Sequence, residues 1–180
     1  LTALAVGKLG NDPDRVQFQA YLTGRREQAM RQRFYVDKFY FQTNIAEKEI
    51  QSSYSLSGRR IKVNFINLPD EQTAIKIRQL LQNGIAIDSI YGFLWEGTVP
   101  EKEISWFDRD QEEIHQALFT KDQQKGNVLG PIRTEDNAYV IMTVNGWIDQ
   151  PAITAEDQKQ RYEDVKERIM ETKAKKAYLT

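Results

Sequence analysis

The sequence predicts an α+β fold, one sheet domain with helical arms at both ends. Three observations carry this. Ile61, Val63 and Phe65 alternate with Lys62 and Asn64, the period of a strand with one buried face. Residues 138–147 form a nearly continuous apolar run, the mark of a strand covered on both faces. Between these runs and on either side of them, apolar residues recur at helical spacing.

Along the chain, Leu1, Thr2, Ala3, Leu4, Ala5 and Val6 read as the tail of a helix continued from a longer precursor. Asn11, Asp12 and Pro13 form a helix start, with a side-chain oxygen for the first free amides and proline pre-set for the first turn. The helix is expected to run to about Gln42. In it Phe18, Leu22, Met30 and Phe34 fall at multiples of four residues beside Arg25, Arg26, Arg31 and Arg33, so an apolar stripe faces a partner. The basic run is expected to pair on the helix surface with Glu27 or with neighbouring helices.

Thr43 and Asn44 cap an expected helix over 45–54, which Ser57 and Gly58 break. After the strand around 61–65, Pro69 and Asp70 start a helix in which Ala74, Ile77 and Leu81 keep helical spacing. Asn83 and Gly84 end it in a left-handed cap, and a short helix follows over 87–94. A polar loop over 96–102 leads to a strand at 104–107 and a helix over 108–119. Residues 127–134 are extended but interrupted by Gly130 and Pro131, and the apolar strand over 138–147 follows. Thr154 caps a last helix to about Leu179, with a narrow stripe of Tyr162, Val165 and Ile169.

The chain has 180 residues, 40% of them hydrophobic, enough for a real core. Its formal net charge of -1 gives no electrostatic footprint for nucleic acid. With no cysteine, disulfides, thiolate catalysis and thiolate metal sites are excluded. One histidine, His115, makes neither a triad nor a metal site, and its place beside Ile114 on an amphipathic helix suggests an exposed or partly packed residue. The acidic pairs Glu101/Glu103 and Glu112/Glu113 read as solvated surface. No metal site and no cofactor is expected.

The order ISWF (104–107), ALF (117–119), a Lys/Gln spacer, GNVLGPIRT (126–134) and AYVIMTV (138–144) resembles the second half of a parvulin domain, the PpiC-type fold of peptidyl-prolyl isomerases. In that family GDLGWF, an A-x-F helix end, G-x-(V/I)-x-G-P-V-x-T and G-Y-H-I-I-x-V come in sequence. The flanks, GKLGNDPDRVQFQAYLTGRREQAMRQRFYVDK followed by NIAEKEIQSSYS, look like the segment that precedes the parvulin domain in SurA-like and PpiD-like envelope folding factors. The resemblance implies a parvulin-like, four-stranded, mostly antiparallel sheet with surrounding helices, and chaperone-like helical arms. It divides the chain into an N-terminal helical segment (1–58), a parvulin-like domain (59–148) and a C-terminal helix (149–180) packing on the helical part.

Aligned with the family, the first-strand histidine falls at Phe65 and the last-strand histidine at Val140. The central Cys or Asp falls near Glu96 and Gly97. Both imidazoles are therefore replaced, and no catalytic residue is assigned. What the resemblance leaves is an apolar peptide-binding set: Phe65, Ile104, Ile114, Phe119 and Val140. A second candidate surface, for clients or for an interface, is the aromatic helix of Phe34, Tyr35, Phe39, Tyr40 and Phe41. The expected activity is binding of unfolded or extended polypeptides, outer-membrane or secreted clients, in the periplasm or cell envelope, with little or no prolyl isomerase activity. An active isomerase with an altered site and a structural domain of an envelope assembly are the alternatives. The helical arms are candidates for joining two copies in a homodimer.

Overall fold

The computed structural model describes residues 13–180, with side-chain environments from Val16 onward. The expectations for Leu1 to Val6 and for the Asn11 and Asp12 cap lie outside the described residues. In order, the elements are α1 (Pro13–Tyr35), a π turn (Val36–Tyr40), α2 (Glu47–Tyr54), β1 (Arg59–Leu68), α3 (Glu71–Gln82) and α4 (Ile87–Leu94). There follow β2 (Glu101–Ser105), α5 (Glu112–Leu118), β3 (Val128–Arg133), β4 (Tyr139–Asp149) and α6 (Ala155–Leu179). The strands form one antiparallel sheet in the order β2-β1-β4-β3. The α+β architecture read from the sequence, with a four-stranded antiparallel sheet and surrounding helices, is the one observed.

The chain groups into two compact units. One is Leu1–Ala46 with Lys166–Thr180, and the other is Glu47–Val165. The second unit contains the whole sheet. Its register sorts the side chains onto two faces. Opposed residues share a face, so Ile66 and Ile141 lie on one, and Val63 with Val144 and Phe65 with Met142 on the other. The Ile66 face is closed by Ala74, Ile77 and Leu81 of α3 and by Ile87 and Ile90 of α4. A one-sided β1 was expected. Burial in fact changes face along the strand, from Ile61 and Val63 to Ile66 and Leu68, because α3 and α4 supply apolar partners for Ile66 and Leu68 that the alternation of 61–65 did not reveal.

The helix ends follow local chemistry. Asp70 caps α3 by accepting the Thr73 amide at 2.8 Å, and Gly84, at φ +88°, turns the chain out of that helix. At α6, Thr154 Oγ1 accepts the Asp157 amide at 3.0 Å while Asp157 accepts the Thr154 amide at 3.3 Å, a reciprocal cap.

Three boundaries differ from the sequence reading. The helix expected over 45–54 begins at Glu47. The strand expected at 104–107 lies at Glu101–Ser105, and α5 is shorter than 108–119. The last two share one cause. Asp108 accepts the Ser105 amide at 2.8 Å and its own amide donates to the Ser105 carbonyl at 3.0 Å, closing a turn where strand and helix were expected to continue. Gln111 is then extended, at ψ 137°, and α5 can start only after it.

Candidate functional site

Ile104, Phe65 and Val140 come from three adjacent strands and point to the same face of the sheet. Ile104 stands opposite Ile61 on β2, and Ile61, Val63 and Phe65 share a face by alternation along β1. Val140 lies opposite Asn67, the next residue on that face of β1, and opposite Ile132 of β3. Ile114 and Phe119 lie on α5 and at its C-cap, and α5 packs against β3. The three strand residues thus share one sheet face, while Ile114 and Phe119 belong to a helix that packs on β3, and the five differ in exposure. Ile104 and Phe119 are buried, and Val140 is only 4% exposed. Phe65 and Ile114 are half-buried, and these two meet solvent. The loop carrying Glu96 and Gly97 reaches β1 through Pro100, whose carbonyl accepts the Phe65 amide at 3.1 Å.

The sequence reading missed two polar groups. Asn67 is exposed on the Phe65 face, directly opposite Val140. Its signal was its spacing of two residues from Phe65. His115, expected to be exposed or partly packed, is half-buried, with its ring 5.4 Å from that of Trp106 and 4.7 Å from that of Phe119. Its Nε2 lies 2.9 Å from the Trp106 carbonyl oxygen. A carbonyl only accepts, so Nε2 carries the proton and donates. The chain's one imidazole is thus tied to the backbone beside the candidate set. This arrangement can hold an apolar side chain and offer an amide to a bound peptide. It holds no nucleophile activated by a base.

The aromatic residues of the first unit form a separate cluster. At Val36 the helix widens to an i→i+5 turn, with the Phe41 amide donating to the Val36 carbonyl at 3.0 Å. The extra residue brings Phe39 under Phe34, ring centroids 5.8 Å apart, a pairing that ordinary helical spacing does not give. Tyr178 of α6 packs edge-on against Tyr35 at 5.6 Å and Phe39 at 5.4 Å. Burial, and then the Glu171 carboxylate, push the Tyr35 phenol up; burial, and then Glu167, Glu171 and Tyr35, do the same at Tyr40. Tyr35, Phe39 and Tyr40 are half-buried, while Phe34 and Phe41 are exposed. Among the described residues the basic run forms an ion pair through Arg33 with Asp37, at 3.4 Å.

Two grooves lie elsewhere in the second unit. One, of about 440 Å³, lies between the α3–α4 turn and the start of β3. The other, of about 370 Å³, lies beside Phe107 and the start of α6. Neither is lined by Phe65, Ile104, Ile114, Phe119 or Val140. Among the described residues no group of three or more His, Cys, Asp or Glu could hold a metal ion, and no helix is long and apolar enough to cross a membrane.

No family model matches the chain, and no curated protein matches it. Among solved structures it is similar to the peptidylprolyl isomerase PrsA from Bacillus cereus, with 15% identity and a TM-score of 0.48 over 97% of this chain and 69% of that one. It is also similar to the foldase protein PrsA from Streptococcus pneumoniae (16% identity, TM-score 0.47, 96% and 66% covered). A third is PrsA from Bacillus subtilis (16%, 0.38, 95% and 67%). The chain thus spans about two thirds of the length of these structures.

Proposed function

We propose that this chain is a parvulin-like protein-folding factor of the cell envelope that binds unfolded or extended polypeptide, with little or no prolyl isomerase activity. The observation that carries the reading is the meeting of Phe65, Ile104 and Val140 on one sheet face, beside the helix that bears Ile114. In this reading Phe65 and Ile114 touch the bound chain, Asn67 offers it an amide, and Ile104, Phe119 and Val140 form the buried support.

An X-Pro bond isomerises over a barrier of about 18–20 kcal/mol in tens to hundreds of seconds. To lower that barrier a site must bind the twisted amide better than the planar one. Two buried or half-buried apolar side chains at 65 and 140 hold no preorganised polar group for that purpose. An active isomerase is the second reading, favoured by Asn67, whose amide stands on the same face opposite Val140.

A coupled prolyl-peptide assay and an aggregation assay on a chemically unfolded client test both. The expected result is an isomerisation rate at the uncatalysed value, with aggregation suppressed by the wild-type chain but not by a folded Phe65→Ser/Ile114→Ser variant. Turnover well above the uncatalysed rate, abolished by Asn67→Ala, would instead establish the second reading.

A further inference from the structure

β2 is an edge strand. Among the described residues it pairs with β1 alone, and its Glu101, Lys102 and Glu103 are exposed. The register decides which way its backbone groups point. The Phe65 amide donates to the Pro100 carbonyl at 3.1 Å, and the Trp106 amide donates to the Arg59 carbonyl at 3.3 Å. Residues 100, 102, 104 and 106 therefore turn their backbone toward β1, while 101, 103 and 105 turn theirs outward. At Ser105 both outward groups are taken: its amide donates to the Asp108 carboxylate at 2.8 Å, and its carbonyl accepts the Asp108 amide at 3.0 Å. At Glu101 and Glu103 the outward amide and carbonyl have no partner among the described residues. The two carboxylates share a sheet face with Lys62 and Asn64, the face away from Phe65. Glu103 lies 3.5 Å from Arg60, and Glu101 accepts the Asn145 amide at 3.2 Å; both side chains stay at the surface. Lys102 points to the opposite face, where it pairs with Asp110 at 2.6 Å.

We propose that this edge takes up an extended polypeptide as a further antiparallel strand, and that the strand carries Lys or Arg at two alternate positions. The outward groups of Glu101 and Glu103 supply the ladder hydrogen bonds. The two cations stand directly opposite the two carboxylates on one face. The residue between them lies opposite Lys102 and is not basic. Opposite charges across a strand pair stabilise it, and like charges destabilise it. The same rule selects against a second copy of this chain, because two β2 edges paired antiparallel would set Glu101 and Glu103 of each chain against Glu103 and Glu101 of the other. A row of one sign thus guards the edge against pairing with itself and leaves it complementary to a basic strand. Recognition uses backbone groups and charge, so the inference does not rest on the Phe65 surface.

The test is an NMR titration of the whole isotope-labelled chain with acetyl-Thr-Thr-Lys-Thr-Lys-Thr-Thr-amide. This peptide has no large apolar, aromatic or proline residue for the Phe65 surface to hold. The amides of Glu101 and Glu103 should shift saturably, and at saturation they should exchange with solvent about five-fold more slowly or less. N-methylation of both lysines, whose amides face β2, should remove binding. N-methylation of the threonine between them, whose amide faces solvent, should leave it. A peptide with Glu in place of Lys should bind about ten-fold more weakly, and Glu101→Gln/Glu103→Gln, at exposed positions, should weaken the Lys peptide about five-fold. A folded Phe65→Ser/Ile114→Ser chain should bind it unchanged, which separates this edge from the proposed client surface. No saturable shift at Glu101 and Glu103, equal binding of the lysine-methylated peptide or of the Glu peptide, insensitivity to Glu101→Gln/Glu103→Gln, or loss of binding in the Phe65→Ser/Ile114→Ser chain would each overturn the proposal. Protection of these two amides that rises with protein concentration in the absence of peptide would overturn it in favour of a second copy.

Discussion

Gly130 shows how a single backbone position couples two strands. It has φ +103°, and a Cβ placed there would fall 2.5 Å from the Val140 carbonyl oxygen. The register between β3 and β4 shifts at this point, between Leu129 and Ile132. Any side chain at 130 must therefore both adopt a left-handed backbone and push β3 away from the strand that carries Val140. Gly130→Ala is expected to destabilise the fold by about 1–3 kcal/mol, read as a lower urea midpoint at unchanged slope. Gly84→Ala is the control. It has φ +88° but open space around the new carbon, so only the strain of the left-handed backbone remains, about 1 kcal/mol. If both variants lose the same stability, the close approach to Val140 has no energetic weight. The sequence marked Gly130 and Pro131 as an interruption of an extended segment. The carbonyl that makes glycine necessary lies on another strand and could not be read from it.

The β1–β4 ladder ends in a second coupling of neighbouring strands. Arg59 donates to both carboxylate oxygens of Asp149, at 2.8 and 3.1 Å, and its guanidinium lies 4.7 Å from the centre of the Trp147 ring. These hydrogen bonds hold the Asp149 carboxyl below the usual carboxylate range. A carboxyl with a lower pKa in the folded state binds fewer protons there than in the unfolded chain. Its contribution is therefore complete above the ordinary value near 4 and is lost as pH falls through the lowered one. Because the Asp149 side chain is more than half exposed, the pair is worth about 1 kcal/mol or less. Asp149→Asn should thus lower the melting temperature at pH 7 slightly and leave it unchanged near pH 2, measured by circular dichroism. An equal loss at both pH values would mean that packing, not charge, holds this end.

Elements with a strong local signal were legible. The cap at Asp70, the left-handed exit at Gly84, the α4 span and the apolar run of β4 all come from adjacent residues. The ends of β2 and α5 were not, since the Asp108 turn depends on a hydrogen bond that competes with both elements. The π turn was hidden too, because it is the packing of Phe34, Phe39 and Tyr178 that reveals it. For the candidate site, strand periodicity and the family resemblance placed Phe65, Ile104 and Val140 on the right strands. Which of them reaches solvent depends on what covers the sheet, and the sequence does not carry that.

For the molecule as a whole, the two units differ in how much of their apolar surface is closed. The sheet unit has Ile61, Ile66, Ile141, Val63 and Val144 almost fully buried, with strands paired on both sides of β1 and β4. In the first unit the described part of α1 up to Phe34 is exposed on every face, Phe18, Leu22 and Met30 included. A helix that packs no face has little beyond its own propensity to hold it, and such helices are marginal in water. Native-state hydrogen exchange should therefore be graded. Amides of β1 and β4 should exchange through global opening, and those of residues 17–32 through local fraying, with protection lower by orders of magnitude. The measurement also tests the homodimer expected of the helical arms. At low protein concentration the α1 amides should be nearly unprotected. If a second copy covers the Phe18, Leu22 and Met30 stripe, their protection must rise with concentration, and charge-neutral Leu22→Ser must abolish the rise. Strong protection of α1 that does not depend on concentration would contradict the expectation of a fraying helix, because the stripe would then be closed within a single chain.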